Sequence, residues 1–298
     1  HLAENTIFPC CVNKINKNFT QNYKDIKDIL KKKDKKEMLY MYFDVLKKIT
    51  ILDNAVGSGA FLLAVQKVLL TLSEVCWDTI NKYNTPLIIN EWKSIEYHKT
   101  SQYHFKKWII SHNLHGVDIE EGAIEICKLR LWLSLISEFT KETIEPLPNI
   151  DYNVMQGNSL IGLIKPPKEE QTTLGDSKKL NDILKEISEI KEKFTNEEDP
   201  KKVKELKIKI DEFIDKQKEK FTNSLLGELL HKKLDITKPE LDKLLPFHWS
   251  LHFFEQFFDE KCEKKGFDII IGNPPWESLR PKENEFFPHY PLINDVLL

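Results

Sequence analysis

Cysteine gives this chain no scaffold. The five cysteines, Cys10, Cys11, Cys76, Cys127 and Cys262, are odd in number and follow no framework spacing, and no second Cys or His pair completes a zinc pattern. A disulfide-stapled fold and a zinc module are therefore excluded, and no metal site is expected. The thiols read as reduced, in a cytoplasmic protein. No apolar run approaches membrane-spanning length and no signal peptide is visible, so no membrane partner is expected. One-sided charge is lacking too. The net charge is −3, which excludes a uniformly basic nucleic-acid coat, although 44 Lys and Arg leave room for a local basic face. There is no internal repeat. What remains is 298 residues with 41% hydrophobic content, enough for one sizeable α/β domain plus additions. His1 is not an initiator methionine, which points to a processed or cut N-terminus.

Four short β-rich runs are each followed by an unusual loop. "TILDNAV" (50–56) runs into "GSG", and residues 60–80 then read as a long, mostly buried helix. "NLHGVDI" (113–119) precedes a second long helix over 120–139, which opens with acids at its positive end. "IDYNVMQGNSLIG" (150–162) is a third strand with its turn, and "GFDIIIGNPPW" (266–276) is a fourth. Alternating strands and helices predict a parallel sheet with right-handed crossovers. Ligands gather beyond the carboxyl ends of such strands, where all four loops fall. The domain boundaries read as an N-terminal segment at 1–37, a first core part at 38–165, a charged insert at 166–245 and a second core part at 246–298. Residues 1–37 end in "DILKKKDKKEM" and read as a solvated surface segment. In the insert, Leu180, Ile183, Leu184, Ile187, Ile190 and Phe194 form one helical stripe. Leu206, Ile210, Phe213 and Ile214 form another, with "TNEEDPKK" between them. A helical hairpin follows, read as a solvated spacer with one apolar seam.

The first loop, "LDNAVGSGAFL" (52–62), places Asp53 at a strand end, with Gly57 and Gly59 before a helix. Glycines let a ligand approach the backbone, and a helix start offers unpaired N–H groups to an anion. Leu62 stands where a dinucleotide motif has its third glycine, and no Gly-Lys-Ser/Thr follows. A smaller zwitterion fits better: the amino-acid end of S-adenosylmethionine, with its carboxylate on the N–H groups and its ammonium on Asp53. A tight strand-to-helix turn remains the competing reading. Asp118 ends the second strand and can accept both ribose hydroxyls. It could equally cap the helix, although Glu120 and Glu121 can supply that function and leave Asp118 freer. Asn158 can donate to and accept from an adenine edge, or simply sit in a turn.

The fourth loop suits the methylation of an exocyclic amine. Such a nitrogen is a poor nucleophile because its lone pair is delocalised into the ring. Two acceptors aimed at its two N–H bonds favour a pyramidal nitrogen. The Asn273 side-chain oxygen and the Pro274 carbonyl can be those acceptors, with Pro275 stiffening the turn. Trp276 can stack on a base taken out of the duplex. The bland alternative is a rigid turn beside a core Trp.

"LDNAVGSGAFL", "GVDIEEGAIEICKLRLWLSL", "QGNSL", "FHW" and "GFDIIIGNPPW", in that order, resemble the adenine-specific DNA methyltransferases of type II, notably type IIG, restriction-modification systems. The resemblance covers about residues 40–165 and 246–285. It implies a class I, Rossmann-like methyltransferase fold with a helical insert, S-adenosyl-L-methionine as cofactor, and double-stranded DNA with a flipped adenine as partner. By the resemblance, Asp53, Asn54, Ala55, Gly57, Ser58, Gly59 and Phe61 border the methionine moiety. Asp118 and Ile119 flank the ribose and adenine, Asn158 and Ser159 border the cofactor's adenine, and Asn273, Pro274, Pro275 and Trp276 form the target-base site. Asn54 departs from the family's usual Pro. Trp276 replaces the commoner Tyr, as it does in type IIG members, and "NFTQNY" (18–23) is a poor match to the expected "F-T-P" motif. The family's sheet needs three more strands and a target-recognition domain, so Leu298 is expected to be a boundary within a longer protein, which could also carry a nuclease. Two other readings stay open: methylation of an RNA base or protein glutamine, and a non-catalytic S-adenosylmethionine-binding fragment. Phe247, His248 and Trp249 read as packing near the site.

Overall fold

The computed structural model describes residues 1–98, 100–138, 146–165, 167, 187–257 and 266–274. Pro275, Trp276, Cys262, Leu180, Ile183 and Leu184 lie outside the described residues. Four parallel strands, β1 (Ile51–Asp53), β2 (Leu114–Asp118), β3 (Val154–Gln156) and β4 (Ile269–Ile270), form one sheet in the order β3-β2-β1-β4. Ile51 pairs with both Leu114 and Ile269, and Gly116 pairs with Val154. The order proceeds outward from β1 to β3 and then restarts on the other side of β1 with β4. In parallel sheets that reversal opens a crevice at the carboxyl ends of the two strands that flank it, here β1 and β4.

Each face of the sheet has its own core, as a parallel sheet requires. Ile51, Leu114, Val154, Ile269 and Ile271 face the larger core. Helix α4 (Ala60–Ile80) and helix α7 (Glu121–Ile136) cover that face as the crossovers after β1 and β2. Leu52, Val117 and Met155 face the other side, against Phe247, Phe253, Phe257 and Phe267.

The N-terminal residues correct one expectation. They are not a solvated surface segment. Helix α1 (Leu2–Phe19) buries Ala3, Ile7, Cys11, Val12 and Ile15 in the larger core. Helices α2 (Ile26–Lys32) and α3 (Lys35–Tyr40) follow, capped by the Asp25 and Asp34 side chains, and a π-helical turn spans Met41–Leu46. A second correction concerns α4, which is long and apolar enough to cross a membrane by length and composition. Here it is the central helix of the larger core, with Leu62, Val65, Leu69, Leu72, Cys76 and Ile80 buried. Between α4 and β2 lie α5 (Pro86–Tyr97), α6 (Ser101–Trp108) and a second π-helical turn, Ile109–Asn113.

The insert is helical, as its stripes imply. Residues 187–196 form α8, and α9 (Pro200–His231) runs for 32 residues. It packs more than one seam. Ile210, Gln217, Phe221, Thr222 and Leu225 are all buried, the last three against the segments around Leu163 and Leu251. At the amino end of β3 the Tyr152 hydroxyl donates to Asp211 (2.7 Å), and Lys207 pairs with Asp151. The expected spacer is instead a strut. Helices α10 (Lys238–Lys243), α11 (Trp249–His252) and α12 (Phe254–Phe257) return the chain to the sheet.

Candidate active site

β1 ends at Asp53, whose side chain is buried. Its Oδ1 accepts from the Ala55 N–H at 3.1 Å, while Oδ2 is buried and has no hydrogen-bond partner among the described residues. Burial pushes the carboxyl up to about 6, and the charge of Asp118 adds to this against the Ala55 hydrogen bond. A buried carboxylate oxygen with no partner is a costly feature in isolation and a ready acceptor for a ligand donor. β4 meets it from the other side of the switch point. The Ile271 N–H donates to the Leu52 carbonyl at 2.8 Å. A Cβ placed on Gly272 would lie 2.8 Å from Asp53 Oδ1 and 3.3 Å from Asn54 Oδ1. Asn273 and Pro274 follow directly and are exposed. The first and fourth loops are therefore in contact, separated by little more than a backbone.

The glycine loop is held by the β2–α7 unit at three successive positions. The Gly57 N–H donates to Asp118 Oδ2 at 2.7 Å. Arg130 Nη1 donates to both the Ser58 carbonyl (2.8 Å) and its hydroxyl (2.9 Å). Gly59, at φ 80°, packs so tightly on Cys127 that a Cβ would lie 2.6 Å from its Sγ. Gly57, at φ 50°, has no atom of the described residues within 4 Å of its Cβ position, so among them this is the open side of the cradle. Ala55 and Phe61 are half-buried beside it.

Asp118 corrects a further expectation. Neither Glu120 nor Glu121 relieves it: Glu120 is the N-cap of α7 without a side-chain cap. Asp118 Oδ1 takes the Glu120 N–H at 3.0 Å, and Oδ2 takes Gly57. Each oxygen keeps a further lone pair for a hydroxyl. Ile119, next in sequence, is an exposed apolar side chain, and its carbonyl accepts from Gln156 at 3.0 Å. Asn158 Oδ1 closes a turn by accepting from the Leu160 N–H at 3.0 Å. Asn158 and Ser159 are half-exposed there. The described candidates from all four loops thus lie at the carboxyl ends of the strands. Among the described residues, no three Cys, His, Asp or Glu side chains cluster as a metal site.

The sequence reading gave Arg130 and Cys127 no role and took His248 as packing. Arg130 carried a signal. It is one of two arginines in a chain whose cations are otherwise lysine. Cys127 acts on a partner distant in the chain and carried none, and His248 stood out only as part of "FHW".

A parallel sheet with this strand order, a glycine loop after β1, an acid after β2 and an Asn-Pro after β4 defines a class I methyltransferase-like domain. The comparisons narrow the class. Residues 112–293 match the family described as Eco57I restriction-modification methylase, and the chain belongs to that family. It is 31% identical over 348 residues to a protein of Methanocaldococcus jannaschii named "Putative type II restriction enzyme and methyltransferase RM.MjaORFECS2P". The match covers 96% of this chain, which spans 28% of that relative's length. No solved structure matches.

Proposed function

We propose that the chain is the cofactor- and base-binding part of a DNA methyltransferase that transfers a methyl group from S-adenosylmethionine to the exocyclic amine of adenine in a specific sequence. The observation that carries this reading is the close approach of Gly272, the residue before Asn273, to Asp53, whose Oδ2 is buried with no hydrogen-bond partner among the described residues. The residues fit the cofactor. Asp53 offers an acceptor to its ammonium, the open side of Gly57 admits its amino-acid end, Asp118 can take a ribose hydroxyl, and Ile119 offers an apolar surface to its adenine. When bound, the cofactor supplies an activated methyl on a sulfonium.

The chain's own work is orientation. Asn273 Oδ1 and the Pro274 carbonyl accept the two N–H bonds of the target amine, turning its lone pair toward the glycine loop. Pro275 stiffens the turn, and Trp276 stacks on the flipped base. Stacking is worth about 1–3 kcal/mol, against the few that flipping costs. Pre-set acceptors of this kind lower the barrier through geometry and electrostatics. By analogy with the named relative, the whole protein would join this activity to a nuclease.

The test is methyl transfer from labelled S-adenosylmethionine to duplex DNA, with the chain and with the longer protein, each compared with Asn273→Ala. Label in N-methyladenine that is lost in the variant supports the proposal. Label on RNA or on protein glutamine instead would reassign the substrate. Absence of cofactor binding by calorimetry would remove the reading.

A further inference from the structure

The "FHW" segment, left as packing by the sequence, governs the turn after β3. Residues 245–248 run alongside 158–163. The Asn158 N–H donates to the Leu245 carbonyl (2.7 Å) and the Phe247 N–H to the Ile161 carbonyl (2.7 Å). The two segments are pressed together at glycines. A Cβ on Gly162 would lie 1.9 Å from the Phe247 carbonyl oxygen, and one on Gly157 would lie 2.6 Å from the Phe247 ring. On its inner side the turn is tied to β2, because the Gly157 N–H donates to the Asp118 carbonyl at 2.8 Å. The turn that carries Asn158 and Ser159 has its own Leu160–Asn158 and Ile161–Asn158 hydrogen bonds, but its placement is fixed from outside. It takes the placement that segment 245–248 imposes.

One imidazole ties that segment to α9 and to Leu163. His248 is fully buried. Its Nδ1 lies 3.2 Å from the Leu163 backbone nitrogen, which can only donate, so Nδ1 is the acceptor. The ring proton is then on Nε2, 3.2 Å from Thr222 Oγ1 on α9, with the Phe221 ring packed 5.4 Å from the imidazole. Because α9 is anchored at the amino end of β3 through Asp211, it spans the strand and reaches the turn through this ring.

We propose that His248 is a positioning residue for the cofactor's adenine end, transmitting the placement of α9 to the turn bearing Asn158 and Ser159. This rests on the reading that the crevice takes S-adenosylmethionine. His248 touches no ligand itself. Its two nitrogens fix the distance between a helix of the insert and the cofactor side of the sheet.

The experiment compares His248→Phe, His248→Asn and Thr222→Val in the full chain, with Asp53→Ala as a control on the crevice. Calorimetry gives Kd for S-adenosylmethionine and for 5′-methylthioadenosine, which keeps adenine but lacks the amino-acid end, and melting temperature reports folding. His248→Phe, which removes both hydrogen bonds, is expected to raise both Kd values about tenfold. Thr222→Val, which removes one, should raise them about threefold to fivefold. His248→Asn retains an acceptor for Leu163 and should stay within about threefold of wild type. A purely structural role would lower the melting temperature and leave both Kd values of the folded protein unchanged, and that result overturns the proposal. If His248→Phe does not fold, Thr222→Val decides. If Asp53→Ala loses affinity while the His248 variants keep it, only the positioning role fails. If the wild-type chain binds neither ligand, the crevice reading fails and the proposal with it.

Discussion

Gly272→Ala tests the juxtaposition on which the site depends. The added Cβ would sit 2.8 Å from Asp53 Oδ1 and 3.3 Å from Asn54 Oδ1. An ordinary carbon–oxygen contact needs roughly 0.6 Å more than the first of these. Asp53 cannot retreat, since it is buried and its Oδ1 holds the Ala55 N–H. The end of β4 must yield, and Asn273 moves with it. Overpacking of this kind costs about 1–3 kcal/mol. If the displacement is felt in the crevice, Kd for S-adenosylmethionine rises by about 5- to 150-fold, and methyl transfer falls further because the base site shifts as well. Gly122→Ala is the control. It lies in the first turn of α7 with nothing within 4 Å of its Cβ position. That change should stabilise by about 0.5–1 kcal/mol without altering affinity. Calorimetry, a melting curve and a methyl-transfer assay read all three quantities. A folded Gly272→Ala protein with wild-type Kd and turnover would refute the claim that one ligand space is bounded by both loops.

Three further outcomes follow from buried groups and from the base site. Burial pushes His112, His115, His248 and His252 down to about 4, 3, 4 and 3 from 6.5. The unfolded chain then takes up more protons below pH 6.5, so stability is complete above that pH and is lost as pH falls toward 4. Going from pH 7.5 to 5.5 should cost about 1 kcal/mol for each histidine, offset by less than about 1 kcal/mol from Asp53, whose raised value acts in the opposite direction. Urea unfolding at the two pH values checks this, and unchanged stability would contradict it. Glu91 is buried and accepts from Tyr42 (2.6 Å), Lys47 (2.6 Å) and His104 (2.8 Å). Burial alone would raise its carboxyl, but His104 and Lys47 hold it at about 2. Glu91→Ala leaves those three groups unpaired and should destabilise by about 3–5 kcal/mol in the same assay. Trp276→Ala should weaken DNA binding and turnover while sparing cofactor affinity, and an equal loss of cofactor affinity would argue against its stacking role.

The order of the fold was legible because each loop follows an apolar run of distinct period. The helix read over 60–80 is found at Ala60–Ile80, and that read over 120–139 is found at Glu121–Ile136. In the stretch 150–162, read as a strand with its turn, the strand is Val154–Gln156 and the turn follows it. Helix α1 was missed although its buried residues Ala3, Ile7, Cys11 and Ile15 recur every four positions. Pro9 inside the helix and the intervening Asn and Lys residues masked that period. The role of Asp118 was misjudged for a different reason. Its partner Gly57 is 61 residues away, and the partner of His248 at Leu163 is 85 residues away. Local patterning locates turns, but which residue fastens them is decided by contacts that a linear reading does not contain.

The fastening of residues 57 to 59 bears on how the chain would meet a ligand and how it could be re-engineered. A loop already held by Asp118, Arg130 and Cys127 loses little freedom when it is occupied, so little affinity goes into ordering it. The same fact makes the loop a poor graft by itself. A chimera that exchanges "AVGSG" with a relative's loop should fail unless the β2–α7 unit travels with it, because the shape of one is written in the side chains of the other.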